Sequence, residues 1–530
     1  MTAGGVALPL AGFRVGAGDG GGERPPEVDA AVRALSALGA EIGGGVAGPA
    51  ATLVRHPVTT ELVGVPEGTV EHASGLALAA GALAACAGGT PITVPAVDVA
   101  VQVLLPEVMA AAYGSPSWPV PPAPVPAPGG GWVSAEVGAS GDGERLAVLM
   151  ETLPADVDAA ALARAAQEWR LAVCDYRTAT RTPPTSHAGS IRRGSGEEAP
   201  SHRVSITWDG AGPGGSSARP AGSRPGNGAA TTPLGGVRVV DLTAMWAGPL
   251  CTWLLARLGA EVWKVEPAVR PDGLRAFDGR GVHPEGRADG SGRDSALFNA
   301  LNTGKHGVDI DLREGEGRRH LAELVGMSDL VVDSFSPRVM PNLGLTRAEL
   351  ARSDPCLLTL SIPAFPPGPQ REWVAYGTGI HAASGLGYLG GPGDIGAPGE
   401  VGASGGVGTG TVPFAAPAVT YPDPLSGLAA AVTALAGLVG RRRGWRPRHL
   451  EVSLLSAITP LLAVDRNPAR LTGRAEGQGA DLARAAAPDT FAPVDVAGRP
   501  FPHPVGPFRG LDVALAPPPG PPSDAAPSRP

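Results

Sequence analysis

The feature that most restricts the fold of this chain is an alternation of β-branched and helical runs in its second half. GVRVVDL, residues 236–242, is rich in valine and of strand length. TAMWAGPLCTWLLARLG, residues 243–259, sets Leu250, Leu254, Leu255 and Leu258 on one helical face, and AEVWKVE, residues 260–266, reads as the next strand. Strand, helix and strand within about thirty residues form a βαβ unit, with parallel pairing and a right-handed crossover. The pattern recurs. GVDIDL (307–312) precedes the helix-like REGEGRRHLAELVGMS, DLVVDSF (329–335) follows, and LLTLSI (357–362) comes after VMPNLGLTRAELARSDP. The expected fold is therefore α/β, a doubly wound parallel sheet of the Rossmann-like kind.

Around that core, composition marks the boundaries. The 530 residues include 78 Gly and 57 Pro, about a quarter of the chain and enough to leave parts of it without a packed core. Residues 113–132 read as a polyproline spacer, 182–232 as a Gly/Pro/Ser/Arg-rich linker, and 515–530 as a loose tail. An internal echo divides the rest. PLAGFRV (9–15) matches PLGGVRV (233–239), and LGAEI (38–42) matches LGAEV (258–262). EHASGLALAAGALA (71–84) matches DPLSGLAAAVTALA (423–436), and VDVAV (97–101) matches LEVSL (450–454). Four collinear pairs predict that 1–181 is a shortened, degenerate copy of the domain spanning 233–514.

Several function classes fall away. A net charge of −8 without a basic, aromatic-interleaved stripe argues against a nucleic-acid partner. The N-terminal residues lack a basic region followed by an apolar run. The apolar stretch 76–86 is too short and alanine-rich to cross a bilayer, so no membrane association is expected. Cys86, Cys174, Cys251 and Cys356 form no CxxC pair, which predicts neither a disulfide framework nor a metal site and fits a cytoplasmic setting. Glycine pairs such as those in YGTGIHAASGLG (376–387) are too frequent in so glycine-rich a chain to indicate a dinucleotide loop, and they do not follow the first strand.

Two details point to chemistry. Only two of the 42 basic residues are lysine, Lys264 and Lys305, in a chain that otherwise uses arginine. A lysine kept against that bias suggests a need for a compact ammonium, here read as one facing a phosphate-bearing ligand at the carboxyl ends of the strands. The second is Asp423, between Pro422 and Pro424 ahead of an alanine-rich helix. Read plainly, it is an N-cap with Pro424 at the first helical position. A carboxylate kept ionised by the helix dipole would also suit a nucleophile.

Taken together, GVRVVDLTAMWAGPLCTWLLARLGAEVWKVEP, FNALNTGKHGVDIDL, DLVVDSFSPRVMPNLGL and YPDPLSGLAAAVTALAGLVGRRRG…LEVSLL resemble the class III CoA-transferase family, which includes formyl-CoA and carnitine CoA-transferases. The resemblance implies coenzyme A as the substrate thioester, no metal, an acyl-CoA and a small carboxylic acid as partners, and a homodimer or intrachain pseudo-dimer. It implies a CoA-binding turn at Met245, Trp246 and Ala247, with Lys264, Asn302, Lys305, Phe335 and Ser336 contributing, and Asp423 as the nucleophile in a D-x-x-x-G pattern closed by Gly427. Gly377, after Tyr376, stands where many members carry a supporting acid, and 390–410 is longer than the family pattern, an insertion or a lid. The implied reaction is CoA transfer through aspartyl anhydride and thioester intermediates. Two alternatives remain at this point: a non-catalytic acyl-CoA-binding or assembly partner, and an α-methylacyl-CoA racemase, for which His381 is the nearest histidine.

Overall fold

A computed structural model describes residues 30–35 except 32, 51–54, most of 65–113, 122–136, 141–177, 205–207, 232–276, 295–388 except 355, 414–442, 449–463, 478–486, 491–496, 499–511, 513 and 516–520. In chain order its first part contains β1 (Ala51–Val54), α1 (Thr69–Gly88), β2 (Ile92–Pro95), α2 (Ala96–Val103) and α3 (Leu105–Tyr113). A small module follows: β3 (Val125–Pro126), β4 (Trp132–Ala135), α4 (Asp142–Thr152), α5 (Ala159–Glu168) and β5 (Val173–Asp175). Strand β6 (Ser205–Thr207) leads to the main body, which opens with β7 (Arg238–Leu242), α6 (Ala247–Arg257), β8 (Glu261–Glu266), α7 (Ala296–Asn302), β9 (His306–Asp309) and α8 (Gly315–Val325). It continues through β10 (Leu330–Asp333), α9 (Val339–Asn342), α10 (Arg347–Ser353), β11 (Leu358–Ser361), α11 (Gly377–Ser384), α12 (Pro422–Arg442), β12 (His449–Glu451) and α13 (Leu454–Ile458), and ends with α14 (Gln478–Ala486), β13 (Phe491–Val496) and β14 (Arg499–Pro504).

The principal sheet runs β6-β12-β11-β10-β7-β8-β9, parallel throughout except for the antiparallel β6–β12 edge. The chain starts centrally at β7, builds outward through β8 and β9, then crosses back to β10, β11 and β12. This doubly wound order puts a topological switch point between β7 and β10, where ligands collect at the strands' carboxyl ends. The strands expected from valine-rich runs form at those places because both faces are covered, as a parallel sheet requires. Helix α6 begins at Ala247 rather than Thr243, since Met245 takes a left-handed φ of 66° and residues 243–246 form a loop instead.

Two expectations about boundaries need correction. The segment 182–232 is not wholly a linker, because β6 within it extends the sheet edge. The tail is likewise partly docked: the Ala516 carbonyl accepts from Gly304 N–H, and Arg275 donates to the carbonyls of Pro519 and Gly520. The echoes at 9–15 and 38–42, and the segment 390–410, lie outside the described residues. Of the echoing pairs that are described, α1 and α12 pack side by side, and β1-α1-β2 is a parallel βαβ unit like β11-α12-β12. The match is not complete, because Val97–Val101 lie within α2 whereas Leu450 and Glu451 lie in β12. Helix α12, not the stretch 76–86, is the one described helix long and apolar enough to cross a membrane, and it is 94% buried here as the central core helix.

The small module has its own core of Val133, Leu149, Leu162, Val173 and their neighbours. It docks on the main body through backbone groups. Gln167 donates to the Val374 carbonyl at 2.8 Å and accepts from Val374 N–H at 2.6 Å, Arg170 donates to the Glu372 carbonyl, and Arg177 N–H to the Ala382 carbonyl. These contacts fix the module against the segment that leads into α11.

Candidate active site

The switch point is built on Asp241, the fourth residue of β7, which is fully buried. Its carboxylate receives Thr243 N–H at 2.9 Å, the Thr243 hydroxyl at 2.5 Å, the Thr252 hydroxyl at 2.7 Å and Lys305 Nζ at 3.0 Å. Burial opposes its charge, but Lys305 and Lys264 together with the two hydroxyls hold the carboxyl below its ordinary value. Lys264 lies beneath the same loop, donating to the Thr243 carbonyl at 2.9 Å and to Asp272 at 2.8 Å. Asp272 in turn accepts Met245 N–H. Across the switch point, Ala244 N–H reaches Ser334 Oγ at 3.3 Å, tying the turn after β7 to the turn after β10. Met245 therefore holds a strained left-handed conformation, costing roughly 1–2 kcal/mol, because both sides of its turn are anchored.

The lysines thus sit elsewhere than expected. Both are enclosed, at 0% and 3% exposure, in ion pairs with internal carboxylates. Burial draws Lys305 down to about 8, still charged at neutral pH, whereas three nearby carboxylates outweigh burial at Lys264 and raise it. The 301–305 segment precedes β9, and Lys305 Nζ reaches inward to Asp241 and the Pro249 carbonyl rather than outward to a ligand, while Asn302 uses its side chain on Lys305 and the Phe298 carbonyl. Each ammonium spreads its donors over separate oxygens, Lys264 over the Thr243 carbonyl and Asp272, and Lys305 over Asp241, the Pro249 carbonyl and Asn302. Met245, Trp246, Ala247, Phe335 and Ser336 do come together at the carboxyl rim, flanking the switch point. Trp246 is buried under the start of α6. Arg270, on the exposed turn after β8, is close enough to influence Tyr376 electrostatically.

Asp423 approaches the same rim on α12. That helix begins at Pro422, so Asp423 is a first-turn residue and not the cap, and Pro424 is not the first helical position. Gly427 explains the closeness. A Cβ there would lie 2.7 Å from the Ala247 carbonyl and 3.0 Å from Leu250, so only glycine lets α12 press against the first turn of α6. Against the Asp423 carboxyl stands Gly377, the first residue of α11. A Cβ on it would fall 2.2 Å from Asp423 Oδ2. The carboxyl of Asp423 occupies the space a side chain at 377 would take, and it is hydrogen-bonded by Gly377 N–H.

Sequence reasoning missed the second acid at this place. Glu136, just after β4 of the small module, accepts Thr378 N–H at 3.3 Å and Gly379 N–H at 3.0 Å. Burial, then the proximity of Glu136, pushes the Asp423 carboxyl up to about 8, and burial raises Glu136 as well. Asp423 is therefore not kept ionised by its helix at neutral pH, contrary to the expectation from its position. No local signal marks Glu136, which stands 242 residues before Thr378. His381, also on α11, is fully buried. Its Nε2 donates to the Ala415 carbonyl at 2.9 Å and its Nδ1 meets Tyr421 OH at 2.8 Å, so both ring nitrogens are engaged inside the core.

A doubly wound α/β domain whose switch-point turn faces a helix-borne carboxylate is the class that the geometry defines. Residues 234–495 match the family model described as CoA-transferase family III. Among curated relatives, the chain is 28% identical over 229 residues to the beta subunit of succinyl-CoA–L-malate CoA-transferase from Chloroflexus aurantiacus, covering 43% of this chain and 50% of that one. It is 35% identical over 144 residues to formyl-CoA:oxalate CoA-transferase from Afipia carboxidovorans, covering 27% of this chain and 32% of the relative. The chain thus spans half or less of the length of these relatives. Among solved structures, a CaiB/BaiF family protein from Brucella suis aligns at 29% identity with a TM-score of 0.35, covering 44% of this chain and 56% of that one.

Proposed function

We propose that the domain 233–514 transfers CoA between an acyl-CoA thioester and a free carboxylic acid, with Asp423 as the nucleophile. The observation that carries this reading is the convergence of the Asp423 carboxyl, the Gly377 N–H and the anchored turn 244–247 at the switch point of a domain that matches family III. A carboxylate oxygen of Asp423 attacks the thioester carbonyl carbon, the C–S bond breaks, and CoA leaves as thiolate. The thiolate then attacks the aspartyl carbonyl of the mixed anhydride and releases the first acid. An acceptor carboxylate attacks the aspartyl-CoA thioester, expelling thiolate once more. Thiolate attack on the acceptor's carbonyl regenerates Asp423. The Gly377 N–H, which already donates to the Asp423 carboxyl, is suited to the charge that develops on that group along the way.

A CoA thioester fits the rim in kind. The backbone around Met245 and the Phe335–Ser336 turn offer the apolar and polar edges, and Arg270 offers the charge for phosphate that the buried lysines do not. Lys264 and Lys305 then support the turn from beneath. The racemase alternative is not favoured, since His381 lies in the core with both nitrogens engaged. The strand–long helix–strand order shared by 51–95 and 358–451 supports reading 1–181 as a shortened copy, with α1 against α12 as an intrachain counterpart of a dimer contact.

The test is exchange followed by trapping. The chain is incubated with acyl-CoAs and free acids, and CoA exchange is read by mass. Hydroxylamine added during turnover is expected to leave a hydroxamate on the Asp423 peptide. An unmodified peptide from protein that is turning over would place the chemistry elsewhere, and no exchange with any pair would favour an acyl-CoA-binding role.

A further inference from the structure

We propose that Glu136 is the second carboxylate of this site, a positioning residue for Asp423 delivered by a module that lies outside the matched family domain. The inference rests on the reading of Asp423 as nucleophile, but its observations are separate. The amino end of α11 offers successive backbone N–H groups to two acids. Gly377 N–H serves Asp423, and Thr378 and Gly379 N–H serve Glu136. Two glycines make room for the pair. A Cβ at Gly377 would strike Asp423, and one at Gly379 would lie 3.3 Å from Glu136 Oε2 and 3.2 Å from Cys174 Sγ. Gly377 is thus the residue that vacates this corner, and Glu136 is the acid that enters it from another part of the chain.

The module is held so as to aim Glu136 there. Gln167 and Arg170 clamp the Glu372–Val374 backbone, β4 and β5 pack on α11, and Arg177 N–H reaches the Ala382 carbonyl. Such docking places an acid against one helix end with little freedom. Two carboxyls there resist holding two negative charges, so they titrate as a pair and keep one proton between them over an intermediate range of pH. With that proton on Glu136, Asp423 is the carboxylate that attacks. With it on Asp423, attack is suppressed. Other titratable groups near the pair are Tyr376, beside both acids, and Cys174 and Tyr176, beside Glu136; Arg270 and Asp142 act on Tyr376.

The test uses the full chain carrying Glu136→Gln, which keeps shape and one acceptor but removes the charge. Exchange measured against pH should show its rising limb displaced downward by about one pH unit or more, with kcat changed and KM for the acyl-CoA within about twofold. Independently of turnover, the infrared band of protonated carboxyl should titrate in two coupled steps in the unaltered chain. In Glu136→Gln it should titrate in one step at lower pH, and in Asp423→Asn the Asp423 component should vanish. A pH profile and band midpoint unchanged by Glu136→Gln would overturn the proposal and leave Glu136 a structural cap of α11. Should the variant fail to fold, a single-step titration of the unaltered chain overturns it equally. Because the infrared reading needs no reaction, it separates failure of this inference from failure of the transferase reading.

Discussion

Asp423→Asn should make the protein more stable while abolishing exchange, and the gain should depend on pH. The folded chain holds a proton on Asp423 up to about 8 against an ordinary value of 3.8. An unfolded carboxyl ionises near that ordinary value, so between about pH 4 and 8 the folded state binds more protons than the unfolded one. Stability from this group therefore falls as pH rises through that window. At about 1.4 kcal/mol per pH unit the whole interval amounts to roughly 5–6 kcal/mol. Asp423 keeps part of its surface in solvent, which relieves some of the penalty, and half that figure, about 2–3 kcal/mol, is the working expectation. Asparagine still accepts the Gly377 N–H but carries no charge to bury. The repulsion between the Asp423 and Glu136 carboxyls is lost as well, which adds in the same direction. Thermal unfolding of both proteins from pH 4.5 to 9 should show nearly equal midpoints at the acid end. The gap should then widen to roughly 2–5 °C at pH 8 and level off above it. A constant gap across the range, or a variant less stable at pH 8, would mean that Asp423 is an ordinary ionised first-turn acid and that the argument about its burial is wrong.

Two further expectations concern the frame of the site. Lys305→Ala should cost about 3–5 kcal/mol in denaturant unfolding, because it removes the cation hydrogen-bonded to the buried Asp241 carboxylate and leaves only the more distant Lys264. The loss should be nearly independent of salt, and a neutral change in stability with a salt-sensitive loss of CoA affinity would return Lys305 to the phosphate. Gly377→Ala should keep the circular dichroism of the parent and cost about 1–3 kcal/mol, yet lower exchange by a factor of about 100 or more. The new methyl group competes with Asp423 Oδ2 for one position, so full activity in that variant would show that the carboxyl works from another place.

The sheet was legible from its residues because parallel strands buried on both faces must be apolar along their whole length, and GVRVVDL, DLVVDSF and LLTLSI carry that mark. The special standing of the two lysines was legible too, but not its reason. A bias in composition tells that a compact charge is needed and not which way it points, and here both point inward. The D-x-x-x-G pattern gave Asp423 and Gly427 together, and the close approach of α12 to Ala247 and Leu250 supplies its physical sense. Asp423's protonation was misjudged because the helix end was weighed without its burial, the larger cause, and without the second acid, which depends on tertiary docking alone.

The absence of an acid at position 377 therefore reads differently in sequence and in three dimensions. Along the chain, Gly377 is a deletion of something useful. In space it is the condition for an alternative, because with a side chain there the Asp423 carboxyl could not lie against the start of α11, and two acids could not share that helix end. The same reasoning gives the first part of the chain a purpose that a degenerate copy need not have. Its α1 packs along α12, as α6 does, and its small module brings Glu136 to the start of α11. Position 377 and residue 136 are then coupled through one volume of space, so a side chain restored at 377 requires Glu136 to withdraw, and losing Glu136 leaves the start of α11 with N–H groups that only water or substrate can satisfy.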